Sequence, residues 1–128
     1  MPHFIVEHSA NLAHRHDVKA LARTIAAAAA ETGVFPLAGI RVRFHPVETY
    51  VVADDHPDNA FVSVIVRLGA GRDMETKARA GCHVFDAITA FFGEDMASGH
   101  LAVSLDMDES VPETSFKANS IHQRLTQD

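Results

Sequence analysis

The stretch AFVSVIVRLGAGRD, residues 60–73, carries the clearest structural signal in the chain. Its first nine residues are mostly β-branched or apolar, which predicts a buried strand. Gly69 and Gly71 then predict a tight turn, and Asp73 is placed to cap a helix. Apolar residues follow at intervals of three and four, as on a helix that lies against a sheet: Ala78, Gly81, Phe85, Ile88, Phe92 and Met96.

A second strand is predicted at 100–108, after this helix. Leu101, Val103, Leu105 and Met107 alternate there with residues that are small or acidic, including Asp106 and Asp108. A strand, a helix and a further strand make one βαβ unit, whose crossover is expected to be right-handed.

The first half of the chain repeats this scheme. Phe4, Val6 and His8 mark a short strand, and a helix is predicted from Asp17 to Thr32 with Gly33 as its stop. The segment 37–47 is predicted to be the second strand of this first βαβ unit. Its Ile40, Val42 and Phe44 point to one face, and Arg41, Arg43 and His45 point to the other.

These patterns predict one α/β domain over residues 1–128. Two βαβ units, at about 2–47 and 59–108, would form an α+β two-layer sandwich, followed by a C-terminal extension at 109–128. Its four-stranded mixed sheet would carry two helices on one face. We expect the uncovered face to be substantially apolar, and therefore to be hidden by self-association.

Composition excludes several classes of protein. A net charge of -6 with 11 scattered Lys and Arg residues argues against nucleic acid as a partner. The single cysteine, Cys82, cannot form an internal disulfide, which fits a cytoplasmic location. We find no signal-peptide pattern, and the alanine-rich run at 24–30 is too short to span a membrane.

Pro2 stands at the head of the first strand, where a proline is harmless because it gives up no ladder hydrogen bond. If Met1 is removed, however, Pro2 has a free secondary amine, which is a base and a nucleophile. Arg41 on the neighbouring strand and Arg72 in the turn after residue 68 could face the same cavity. Alternatively, Arg41 and Arg43 are solvated edge residues, and Arg72 merely precedes a helix, where the dipole slightly disfavours a cation.

The stretches MPHFIVE, TGVFPLAGIRVRFH, LGAGRDMETK and FKANSIH stand in this order along the chain. Together they resemble the 5-carboxymethyl-2-hydroxymuconate isomerase family of the tautomerase superfamily. The resemblance covers nearly the whole chain, and it is strongest at 2–7, 32–45 and 61–77. It implies a tautomerase-like fold and a homotrimer of βαβ repeats.

The resemblance also implies a function and a site. It implies a cofactor-independent isomerase of an unsaturated 2-hydroxy or 2-oxo polycarboxylate, with 5-carboxymethyl-2-hydroxymuconate in homoprotocatechuate catabolism as the expected substrate. Pro2 matches the family's catalytic base, and Arg41 and Arg72 match its two substrate-binding arginines. Arg43, on the same strand face as Arg41, is a weaker candidate for binding the small anionic substrate.

Two alternatives stay open from the sequence. The chain could be a related tautomerase acting on a smaller keto acid such as phenylpyruvate, although two arginines favour a polyanion. It could also be a non-catalytic trimer that binds a ligand, which a retained Met1 would favour because Pro2 would then lack a basic nitrogen.

Nine histidines are present, and His3, His8, His14 and His16 lie close together in sequence. Imidazoles can build a metal site. Their spacing fits no known ligand set, however, so we interpret them as surface residues and expect no metal.

Overall fold

Four strands form one mixed sheet in the computed structural model, which describes residues 1–126. The strands are β1 (His3–Ser9), β2 (Arg41–Val47), β3 (Ala60–Gly69) and β4 (Leu101–Ser110). The sheet order is β2-β1-β3-β4. β1 pairs in parallel with β2 and antiparallel with β3, and β3 pairs in parallel with β4. The two predicted βαβ units therefore lie side by side in one sheet.

Two long helices cover one face of this sheet. α1 (Val18–Glu31) begins after Asp17, whose carboxylate accepts the N–H groups of Lys19 and Ala20 at 3.0 and 3.1 Å. α2 (Met74–Phe92) begins after Asp73, which accepts the N–H of Thr76 at 2.8 Å. Each carboxylate thus satisfies backbone donors that have no partner within the helix, as the sequence predicted for Asp73.

The core lies between the helices and the sheet. Every second residue of β1 and β3 faces the helices and is buried, and each fully buried Val or Ile stabilises the fold by about 1.5–3 kcal/mol. The main core residues are Phe4, Val6, Val62, Val64, Val66 and Leu68 from the strands, with Leu21, Ile25, Val84 and Ile88 from the helices.

Two elements have boundaries that differ from the predicted ones. The segment predicted as a strand from residue 37 begins with a short 3-10 turn at Leu37–Gly39, and β2 starts only at Arg41. α2 stops at Phe92, because Gly93 takes a φ of 56° and breaks the helix. Met96 therefore lies outside α2 and is exposed.

The buried stripe of α2 also differs from the predicted one. Gly81, Ile88 and Phe92 are buried as expected, but Ala78 is exposed and Phe85 is only half-buried. Ala80 and Val84 take the core positions instead. Spacings of three and four residues fit both the predicted set of apolar positions and the observed buried set, which lie side by side on the helix. Packing against the sheet decides which set is buried.

The uncovered sheet face is not substantially apolar, so that prediction was wrong. Among the strand residues on this face, the apolar side chains are those of Ile5, Val47, Phe61, Ile65 and Ala102. β2 adds Arg41, Arg43 and His45, and β4 adds Ser104, Asp106 and Asp108. The face is basic along the β2 edge and acidic along the β4 edge.

The segment that follows β4 folds back toward the N-terminus. A 3-10 turn at Pro112–Thr114 is followed by an extended segment and the short helix α3 (Ser120–Thr126). α3 and the segment before it lie beside the turn that precedes β2. No helix within residues 1–126 is long and apolar enough to cross a membrane.

Candidate active site

Pro2 is fully buried at the head of β1. Its carbonyl accepts the backbone N–H of Arg41 at 3.1 Å, which continues the β1–β2 pairing by one bond. The turn before β2 packs directly on this end of the chain. A Cβ at Gly39 would lie 3.3 Å from both Met1 Cα and Pro2 Cδ, so a side chain there would displace the N-terminus or the turn by a few tenths of an ångström. The N-terminus is therefore held in one place.

Arg41 stands beside the N-terminus on β2, directly opposite His3 in the parallel register. Its Nη1 donates to the carbonyl of Ala38 at 2.9 Å. This bond uses one donor of the guanidinium. Its other N–H groups have no hydrogen-bond partner within residues 1–126 and can receive a carboxylate.

Arg72 approaches from the turn between β3 and α2. Its Nη1 and Nη2 donate to the carbonyls of Gly69 and Val34, each at 3.3 Å. Its Cζ lies 5.3 Å from the centroid of the Phe35 ring, a distance at which a cation is attracted to an aromatic face. Phe35 in turn packs edge-on against Phe4 with ring centroids 5.9 Å apart. These buried rings form an apolar wall beneath Arg72.

The chain's terminal amine lies in a field of positive charge. Burial lowers the pKa of the Met1 amine, and Lys117, Arg72 and Arg41 lower it further, in that order. All these causes penalise the ammonium form. A lowered pKa favours the neutral amine, which can accept a proton, and the same cations can bind the carboxylates of an anion.

Arg43 is placed differently from the other two arginines. It lies one row farther along β2, opposite Ile5, and its Nη1 is 2.9 Å from Nδ1 of His3. Burial lowers the pKa of His3, and Arg43 is the strongest of the charges that lower it further. Arg43 thus acts on His3, and its role in substrate binding stays a prediction.

The C-terminal extension adds residues to which sequence analysis gave no role. Lys117, Asn119, His122 and Gln123 line a cavity of about 340 Å³ together with Met1, Pro36 and Gly39. Lys117 and Asn119 fall in the FKANSIH stretch. That stretch supported the family resemblance, but Lys117 lies 45 positions after Arg72 and 76 positions after Arg41. No local pattern indicates that Lys117 and Asn119 return to the site.

The N-terminal histidines do not gather into a metal site. His8 is buried rather than on the surface as predicted, and its ring packs against Phe44. Within residues 1–126, one group has metal-ligand spacing: His56, Asp58 and His100, beyond the opposite end of β3. Nδ1 of His56 already accepts the backbone N–H of Asp58 at 3.1 Å, so an ordinary turn explains why these two residues lie together.

Comparisons with known proteins show the family to which the chain is similar. Residues 2–125 match the family described as 5-carboxymethyl-2-hydroxymuconate isomerase. The 5-carboxymethyl-2-hydroxymuconate Delta-isomerase of Escherichia coli is 42% identical over 122 residues, which cover 95% of this chain and 97% of that protein.

Two crystal structures extend the similarity to the whole fold. A 5-carboxymethyl-2-hydroxymuconate isomerase from Deinococcus radiodurans R1 is 31% identical with a TM-score of 0.87, covering 97% of this chain and 93% of that one. A second 5-carboxymethyl-2-hydroxymuconate delta-isomerase is 25% identical with a TM-score of 0.88, covering 98% and 93%. The chain therefore belongs to the 5-carboxymethyl-2-hydroxymuconate isomerase family of the tautomerase superfamily.

Proposed function

We propose that this protein is a cofactor-independent isomerase of 5-carboxymethyl-2-hydroxymuconate, acting in homoprotocatechuate catabolism, and that Pro2 is its general base once Met1 is removed. The observation that carries the proposal is the clustering of Lys117, Arg72 and Arg41 around the terminal amine. Loss of Met1 moves that amine to the nitrogen of Pro2, which is fully buried.

The reaction moves one proton. The nitrogen of Pro2 takes the proton from the 2-hydroxyl group of the dienol, and the 2-oxo group forms as the double bonds shift. The ammonium of Pro2 then returns the proton to a carbon of the same molecule. Atoms and charge balance without any redox partner. An ordinary secondary amine is largely protonated at neutral pH, so the step depends on the lowered pKa that burial and the cations produce.

The arginines have two roles in this proposal. Each guanidinium pairs with a substrate carboxylate and so places the dienol against Pro2. Either one can also stabilise the negative charge that grows on the 2-oxo oxygen in the transition state. The rings of Phe35 and Phe4 keep water away from this wall of the site, which strengthens both interactions.

The two alternative functions are less well supported. A smaller keto acid such as phenylpyruvate has one carboxylate, which leaves the second arginine and Lys117 without an anion to bind. A non-catalytic ligand-binding trimer does not explain why burial and three cations lower the pKa of the terminal amine. The similarity in both sequence and structure is to isomerases.

We also propose that the protein assembles as a homotrimer through its uncovered sheet face. Arg43 on the β2 edge is paired with Ile5, Ile5 with Ile65, and Ile65 with Asp106 on the β4 edge. Arg43 and Asp106 therefore lie at the two ends of one row of paired residues across the sheet. Among the ion pairs within residues 1–126, none involves Arg43 or Asp106. A head-to-tail ring would bring the basic edge of one copy to the acidic edge of the next. A single 13.9 kDa species in sedimentation at micromolar concentration would argue against this assembly.

The state of Pro2 tests the catalytic proposal. We expect intact-mass measurement of the active protein to show that Met1 is absent. Protein that keeps Met1 has an amide at Pro2 and should lose nearly all activity, whereas Pro2→Ala leaves a primary amine and should keep part of it. Both changes preserve the strand. Full activity in protein shown by mass to retain Met1 would exclude Pro2 as the base.

A further inference from the structure

Lys117 lies where two cavities meet beside the N-terminus. It lines the cavity of about 340 Å³ with Met1 and Asn119, and it lines a second cavity of about 150 Å³ with Met1 and His3. The two cavities share only Met1 and Lys117. Lys117 therefore lines the space beside Met1 in both cavities.

The segment that carries Lys117 is anchored to the site. Nδ2 of Asn119 donates to the carbonyl of Ala38 at 3.0 Å, and this carbonyl also accepts Nη1 of Arg41 at 2.9 Å. Oδ1 of Asn119 accepts the N–H groups of Ile121 and His122 at 3.0 and 3.1 Å, which ties the segment to α3. One carbonyl thus joins the segment to the strand that presents Arg41.

The charge of Lys117 is not neutralised by the part of the chain that the structure describes. Its Nζ donates to the hydroxyl of Ser115 at 2.9 Å, and no ion pair within residues 1–126 includes it. An ammonium has three donors, so two remain for a ligand. Of the charges around the Met1 amine, Lys117 lowers its pKa the most, ahead of Arg72 and Arg41.

We infer that Lys117 forms a third carboxylate-binding subsite, which makes this site selective for tricarboxylates over the corresponding dicarboxylates. The inference rests on the proposed function, in which Arg41 and Arg72 hold two carboxylates of the substrate. 5-Carboxymethyl-2-hydroxymuconate has three carboxylates, and the third needs a cation of its own. Lys117 is the remaining cation that acts on the terminal amine.

Binding of unreactive acids tests the subsite without relying on turnover. Tricarballylate and glutarate share a three-carbon chain and differ by the middle carboxylate. We expect calorimetry to show that the wild-type protein binds tricarballylate about tenfold more tightly than glutarate, as one added charged hydrogen bond allows. Lys117→Gln should abolish this preference and leave glutarate binding nearly unchanged, and Lys117→Arg should retain it.

A matched control separates the subsite from net charge. Lys19→Gln removes the same charge from the first turn of α1, at the far end of β1 from Met1, and should leave the preference intact. An unchanged preference in Lys117→Gln overturns the inference, as does the absence of any preference in the wild-type protein. Failure of the isomerase proposal appears separately, as wild-type protein without Met1 that binds tricarballylate selectively but does not turn over the dienol.

Discussion

Replacing Gly39 with alanine tests how closely the position of the N-terminus controls activity. The new Cβ would lie 3.3 Å from Pro2 Cδ, a contact that remains after Met1 is removed. Carbon atoms pack best at about 3.5–4.0 Å, so Pro2 or the turn must move by a few tenths of an ångström. Gly39 is not among the residues with positive φ, so alanine adds no backbone strain.

The expected effects follow from this displacement. Overpacking a dense interior costs about 1–3 kcal/mol, and we expect the lower end here because a chain terminus shifts more easily than a packed helix. Displacing a reacting group by 1 Å costs about a hundredfold in rate, so a few tenths of an ångström at the Pro2 nitrogen should lower kcat/KM by about fivefold to tenfold. The activity loss should thus accompany a small loss of stability.

Gly69→Ala is the matched control for this experiment. Its Cβ would meet no atom within 4 Å, although Gly69 accepts a hydrogen bond from Arg72 in the same site. We expect its kcat/KM to be unchanged and its unfolding free energy to be equal or slightly higher. The assays are ultraviolet absorbance of the isomerisation and urea unfolding followed by circular dichroism. Full activity in Gly39→Ala, at a normal urea midpoint, would refute the idea that Pro2 must be precisely placed.

Three further predictions concern the charged residues of the site and of the open sheet face. Arg41→Gln and Arg72→Gln should each lower kcat/KM for the tricarboxylate by roughly 10-fold to 150-fold, as expected for losing a charged hydrogen bond worth about 1.5–3 kcal/mol; an equal loss on a monocarboxylate would indicate a structural role instead. His3 should titrate below its ordinary pKa in histidine NMR spectra, and Arg43→Gln should raise that pKa, because burial and Arg43 both penalise the imidazolium. Since the folded pKa of His3 is lowered, its contribution to stability is present above the ordinary histidine pKa and is lost as pH falls below it. A pKa of His3 that is the same in Arg43→Gln as in the wild-type protein would contradict the 2.9 Å contact. Asp106→Arg should weaken self-association in sedimentation, and Arg43→Glu in the same chain should restore it; no recovery in the double variant would exclude this charge pairing.

Local patterns in the sequence determined the secondary structure and the side on which most strand residues lie. Alternation along β2 separated Arg41 from Val42 correctly, and Asp73 marked the start of α2, because these properties depend only on neighbours a few positions away. The family resemblance then identified the isomerase family, which the comparisons confirmed. It also proposed Pro2, Arg41 and Arg72 as site residues.

Tertiary structure decided what sits around those residues. The sheet order β2-β1-β3-β4 makes β2 and β4 the two edge strands of one surface. The basic residues of β2 and the acidic residues of β4 therefore lie at opposite edges of the uncovered face. Lys117 joined the site because Asn119 binds the carbonyl of Ala38, 81 positions earlier in the chain. Contacts between residues so far apart leave no periodicity in the sequence, since they depend on where the folded sheet brings the two ends of the chain.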